Sequence, residues 1–188
     1  LKMNNLPALS FFLFFPSLLL AQLANVPFVR EVNGLVSLFE EQSGSILPAQ
    51  VGDRVTEDTL FFTESESELI ISFPGKIVAR LGENTRVVIG PKKDNRYEIN
   101  LQLGTVSALL DPKRDKANAP VFAIRTLNGV TEATGTFYAV TEYKGQTYTA
   151  VKKGKVKKKV VPSPKPNFAA YLKKATSAKS KPKVLFKK

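Results

Sequence analysis

The chain has 188 residues, 28 Lys and Arg against 16 Asp and Glu, and neither His nor Cys. That length suits one ordinary domain with appendages, and 43% hydrophobic residues are enough to bury a core. The composition excludes disulfides, thiol nucleophiles, metal sites built on Cys or His, and any His-containing triad; a non-enzymatic protein without a cofactor is therefore expected.

Residues 9–20 read LSFFLFFPSLLL, with Lys2 before them and Ala21 and Ala24 after. A basic start, about a dozen apolar residues and small residues beyond describe a secretory signal peptide. The run is short for a membrane span of about 20 residues, and Pro7, Pro16 and Gln22 interrupt any extension of it. Residues 1–24 are thus expected to be a signal peptide, with an uncleaved anchor as the alternative.

Residues 25–150 hold all 16 acids and 13 bases, a balance of 13 − 16 = −3. Their pattern is that of strands. Residues 68–73, 76–81, 86–89, 97–103, 105–110, 121–126, 136–143 and 146–151 are rich in branched and aromatic residues. Gly, Pro, Asn and Asp separate them every 8–12 residues or so, and Lys144-Gly145 fits a tight hairpin. Tyr97, Ile99, Leu101 and Leu103 fall on one strand face. The expected fold is all-β, an antiparallel sandwich or roll of short strands over residues 25–160.

Several residues invite a functional reading. Glu64, Glu66 and Glu68 would share one strand face and offer a weak Ca²⁺ patch, or simply a solvated face that discourages edge pairing. Gly52-Asp53 reads as a turn in which the carboxylate bonds a nearby amide. Gly135-Thr136 reads as a bulge beside a core Phe137. Residues 111–120 read as a solvated connector or a recognition loop.

Residues 151–188 carry 14 Lys and no acid, giving +14. Lys152, Lys153, Lys155, Lys157, Lys158 and Lys159 surround the last strand, Pro162, Pro164 and Pro166 make a stiff linker, and Lys173 and Lys174 lie beyond it. Residues 161–188 are expected to be a flexible tail, and residues 168–175 are too short a helix to stand alone. Lys without Arg favours diffuse attraction to polyanions over bidentate phosphate recognition.

The motifs in order resemble the FecR domain. These are Val51-Gly52-Asp53-Arg54-Val55-Thr56, then Ser65 with Leu69 and the closing Pro74-Gly75, then Leu103-Gly104-Thr105-Val106. Thr126 and Gly129 follow, and last Gly135-Thr136-Phe137 with Val140. The similarity runs from about Val29 to Val156; Pro74, Leu127 and the placement of Phe137 depart from the family pattern in turns. The resemblance implies a periplasmic β domain of the iron-dicitrate sensor type, with Gly52, Asp53, Gly75, Gly104, Thr126, Gly129, Gly135 and Thr136 as structural turns. In the sensors a cytoplasmic segment handles a sigma factor and a membrane helix follows. With about seven residues before the apolar run, a stand-alone exported form is expected, without implied iron binding.

Two functions follow as expectations. One is a periplasmic or secreted interaction module for an envelope protein or glycan, its lysines attaching it to anionic polymers or lipid. The other is nucleic-acid binding through the basic tail, against which stand the acidic body, the lack of Arg in the tail and the apolar leader. A membrane-anchored signalling regulator is a third possibility and needs an uncleaved leader.

Overall fold

The computed structural model describes residues 26–40, 44–114 and 118–160. The expected signal segment, Lys173 and Lys174, and the tail with its short helix lie outside them.

Thirteen strands and no helix make up the described residues. They are β1 (Phe28–Asn33), β2 (Val36–Glu40), β3 (Ser45–Pro48), β4 (Leu60–Thr63), β5 (Glu68–Phe73), β6 (Ile77–Leu81) and β7 (Arg86–Ile89), then β8 (Arg96–Leu110), β9 (Val121–Thr126), β10 (Gly129–Ala133), β11 (Phe137–Tyr143), β12 (Gln146–Lys153) and β13 (Val156–Lys159). One sheet runs β1-β5-β6-β8-β11-β12 and the other β3-β2-β4-β7-β8-β9-β10-β13. The expected all-β, antiparallel, two-layer fold is what forms. Its one parallel pair is β8 with β9.

β8 belongs to both sheets. Its second half pairs with β6 and β11, its first half with β7 and β9. Residues 97–103 and 105–110, separate strands by pattern, are one strand of 15 residues. A straight strand of that length spans about 47 Å. The chain must return from Leu110 to Val121, which lies opposite Arg96, through a loop that reaches at most about 40 Å fully stretched. That loop also spends residues on a turn, where the Arg114 amide bonds the Asp111 carbonyl at 3.2 Å. The strand therefore bends, and Gly104 at φ 88° is where it does so. Leu103 consequently leaves the inward row of Tyr97, Ile99 and Leu101 and is 40% exposed.

The bend folds the sheets onto one core. Phe73 packs on Tyr97 and Phe122 with ring centroids 5.5 and 5.1 Å apart, and the Tyr138 hydroxyl donates across the layers to the Phe122 carbonyl at 3.3 Å. Desolvation raises the Tyr138 phenol far above its ordinary pKa, so it stays a neutral donor. Phe137 is not in this core. It is half-buried on the outer face beneath the Lys152 ammonium, because strand alternation turns Tyr138 inward instead.

Hydroxyls serve the backbone at the corner. Thr63 Oγ1 donates to the Gly82 carbonyl at 2.5 Å and accepts from the Thr85 amide at 2.9 Å. Thr85 Oγ1 accepts from the Thr105 amide at 3.0 Å. The acidic stretch forms no continuous strand, because Glu66 has φ 55° in the turn before β5 and only Glu68 is in a strand. The three carboxylates therefore do not share a face. The 111–120 connector is also not simply solvated. Arg114 is 6% exposed and donates from Nη2 to the Thr134 carbonyl at 2.8 Å.

A Cβ at position 104 would meet Thr85 Oγ1, with Thr85 Cα at 2.6 Å and the Asn84 carbonyl at 2.8 Å. G104A is expected to lower unfolding stability by about 3 kcal/mol in urea titration, combining a left-handed backbone with a clash against main chain. G145A, at φ 77° with open space around it, isolates the backbone cost and is expected to lose about 1 kcal/mol.

A lysine edge and an ion-pair ladder as the candidate interaction site

Among the described residues β12 pairs only with β11, and β13 only with β10. The chain crosses between them through Gly154 and Lys155. One edge of each sheet, opposite the edges formed by β1 and β3, is thus consecutive with the other in the chain. Lys152 and Lys153 end β12, Lys155 is in the crossover, Lys157, Lys158 and Lys159 are in β13, and all six are exposed. No acid occurs between Glu142 and Val160.

Turn residues singled out by sequence hold this edge. Thr136 Oγ1 donates to the Lys155 carbonyl at 2.9 Å, and a Cβ on Gly154 would lie 2.8 Å from the Gly135 carbonyl. Gly129, at φ 144°, lies so close to β13 that a Cβ there would strike the Lys159 carbonyl. Thr126 and Thr147 share a hydroxyl hydrogen bond of 2.8 Å at the root of β12. The other turn residues sit elsewhere. The Asp53 carboxylate accepts from the Gln50 amide at 2.7 Å, as read from sequence, while the Gly52 amide donates to the Val29 carbonyl at 2.8 Å. Gly75 lies against Pro120, and Gly104 is the bend.

Sequence reasoning missed the ladder beside the edge. On the outer face of β8, β9 and β10, Arg125 Nε and Nη2 donate to Glu98 at 2.5 and 3.1 Å. Arg96 Nη2 donates to Glu98 at 2.6 Å, and its Nη1 reaches Glu132. Lys159 Nζ lies 3.3 Å from Glu132, joining the ladder to the lysine edge. Arg96 bridges over β9 because Ala123, paired with Glu98 and Glu132 in one row, is small. An open groove of about 460 Å³ is lined by Lys93, Arg96, Glu98, Arg125, Glu132 and Lys159. Burial alone would push the Glu98 carboxyl up, but hydrogen bonds from Arg125 and Arg96 outweigh it and hold it below the usual range. The signal within reach was Arg96-Tyr97-Glu98, two charges flanking a core residue. Their partners depend on the parallel pairing, which no local pattern announces.

Fold and edge define a class, that of a small two-layer β domain whose charged residues sit on strands and edges. The chain belongs to the FecR family: the family model described as FecR protein matches residues 59–157. That family comprises signalling and regulatory domains that face the periplasm. No curated protein and no solved structure matches the chain. The match begins after the Gly52-Asp53 turn, yet β1, β2 and β3 ahead of it complete the sheets.

Glu98 supplies a pH-dependent contribution to stability. Its folded pKa is depressed, so this contribution is present above the unfolded carboxylate value of about 4.3 and is lost as pH falls through the lower folded value. E98Q, which leaves Arg96 and Arg125 short of an acceptor, is expected to cost about 2 kcal/mol at pH 7. In urea titrations the gap between wild type and E98Q should narrow as pH drops below about 4. A gap independent of pH would show that the carboxylate charge is not what stabilises.

Proposed function

We propose that this protein is a non-enzymatic cell-envelope interaction domain, exported and attached to anionic envelope polymers or lipid through its lysines. One observation carries the reading: six lysines, with no acid between them in the chain, line β12, β13 and the crossover that joins these two edges, and among the described residues Lys159 alone of the six is drawn into an ion pair, with Glu132. A separate basic tail would need only composition. Here the two family-type turns, Thr126 to Gly129 and Gly135-Thr136, seat the charged segment against the domain.

The lysines present point charges rather than forked guanidiniums, which suits a diffuse anionic surface. The β-scaffold itself is the part that meets a protein or glycan partner. Family membership supports a periplasmic location, and the apolar leader supports export.

Cosedimentation of the 188-residue chain with phosphatidylglycerol vesicles tests the attachment. Each lysine near an anionic surface contributes about 1 kcal/mol. Replacing Lys152, Lys153, Lys155, Lys157 and Lys158 by Gln is therefore expected to weaken binding at least about 100-fold, and added salt should weaken the wild type. Unchanged binding would refute the attachment, and tighter binding to duplex DNA than to vesicles would favour the nucleic-acid reading. In a fractionated Gram-negative host the product is expected in the periplasm or medium with its amino terminus near Asn25; a full-length cytoplasmic product would overturn export.

A further inference from the structure

β12 is eight residues long, pairs on one side only among the described residues and is largely exposed. Lys144 and Gly145, at φ 50° and 77°, form a two-residue turn, so Tyr143 and Gln146 close the hairpin as a hydrogen-bonded pair. Hydrogen-bonded pairs then alternate along an antiparallel ladder. Tyr148 and Ala150 bond β11, while Thr147 and Thr149 direct their amides and carbonyls to the open edge. Such a row is a template for another strand. Beneath it the Thr149 hydroxyl is buried with no hydrogen-bond partner.

We infer that β12 is a docking edge for an extended acidic segment of another protein, which adds to the sheet as a further strand. This rests on the proposed interaction role but not on the polyanion attachment. Backbone groups in a row are matched by another peptide backbone, not by a phosphate or a glycan. The charge around the edge selects the sequence of the incoming strand. Lys144 precedes β12, Lys152 and Lys153 end it and Lys155 follows it, with no acid among them in the chain, and Glu142, which accepts from the Thr147 hydroxyl at 2.6 Å, is buried beneath the strand.

The same charges reject the other occupants. Residues 1–25 and 161–188 contain no acid, and the latter contain eight lysines, so the chain's own ends carry no complementary charge. A second copy paired antiparallel would set Lys144 of one beside Lys153 and Lys155 of the other at both ends, which is repulsive.

The test uses the 188-residue chain and an acetylated ten-residue peptide of alternating Glu and Val. Amide exchange is followed by NMR. The Thr147 and Thr149 amides, free of ladder bonds, should exchange fast alone and slow by about tenfold or more with peptide. An alternating Lys and Val peptide should do nothing. T149P removes one edge donor while sparing the bonds to β11. It should lose the acidic peptide and keep vesicle binding, which separates this inference from the attachment above. Peptide binding without slowing at Thr147 and Thr149 would overturn strand addition, leaving diffuse charge attraction. Slowing that appears without peptide, together with a doubled mass in light scattering, would overturn it in favour of a dimer. The wild-type exchange result stands even if T149P does not fold.

Discussion

A strand that serves two sheets has to change neighbours part of the way along, and everything else in this domain follows from how β8 does so. Up to Leu103 its partners are β7 and β9; from Gly104 they are β6 and β11. Between these sets the ladder has no continuous partner, and buried backbone groups need substitutes. Gly104 supplies the turn in direction. Thr63 and Thr85 supply the substitutes, since a short hydroxyl side chain can stand in for a missing main-chain partner. Thr63 and Thr85 are nearly fully buried, positions where threonine would be out of place if it were only filling space.

Because β8 bends, its two ends face each other across the core, and the returning chain enters parallel to where β8 began. That entry brings Arg125 beside Glu98 and, one strand on, Glu132 within reach of Arg96. The ladder therefore depends on the bend as much as the core does. It also stabilises the least regular part of the sheet, the parallel pair, with two half-buried guanidiniums sharing carboxylates. Arg114 acts similarly at the other end of the return, where its guanidinium bonds the carbonyls of Thr134 and Gly75. Desolvation lowers its pKa, and Asp111 partly offsets this, but an arginine remains charged throughout ordinary pH. Charge thus organises the surface of a protein whose interior is hydrophobic and hydroxylic.

Much of this was legible in the chain. Branched and aromatic residues at 68–73, 76–81, 121–126 and 146–151 marked strands that form, and Lys144-Gly145 marked a hairpin. Turn motifs in sequence order carried the family. What stayed hidden was non-local. Gly104 looks like an ordinary break between strands, because a glycine that ends a strand and one that bends it have the same neighbours. Phe137 and Tyr138 are both aromatic in a run where either could face inward, and only the register against β8 chooses. β2, β3, β4, β10 and β13 are short, four or five residues each; β6 and β7 are as short, but Gly82 and Gly90-Pro91 close them and set them off. Glu64 and Glu66 alternate correctly for a strand, yet a turn with φ 55° at Glu66 cancels the pattern.

The lysines were legible as a count and misleading as a location. Read along the chain, 14 of them form a basic end; read in the fold, five of those are in edge strands β12 and β13 and Lys155 is in the crossover between them. Edge lysines oppose self-association, since a copy of the same edge is repelled. That protection is selective, not general, because the charge that repels a like strand attracts an unlike one. A protein relying on a charged edge to stay monomeric has therefore also specified, by sign, which foreign strand it will accept. The hydrophobic side chains left on that side, Tyr148 and Val151, are consistent with such use. An edge evolved only for exclusion gains nothing from exposed apolar area beside its lysines, whereas an added strand would bury it.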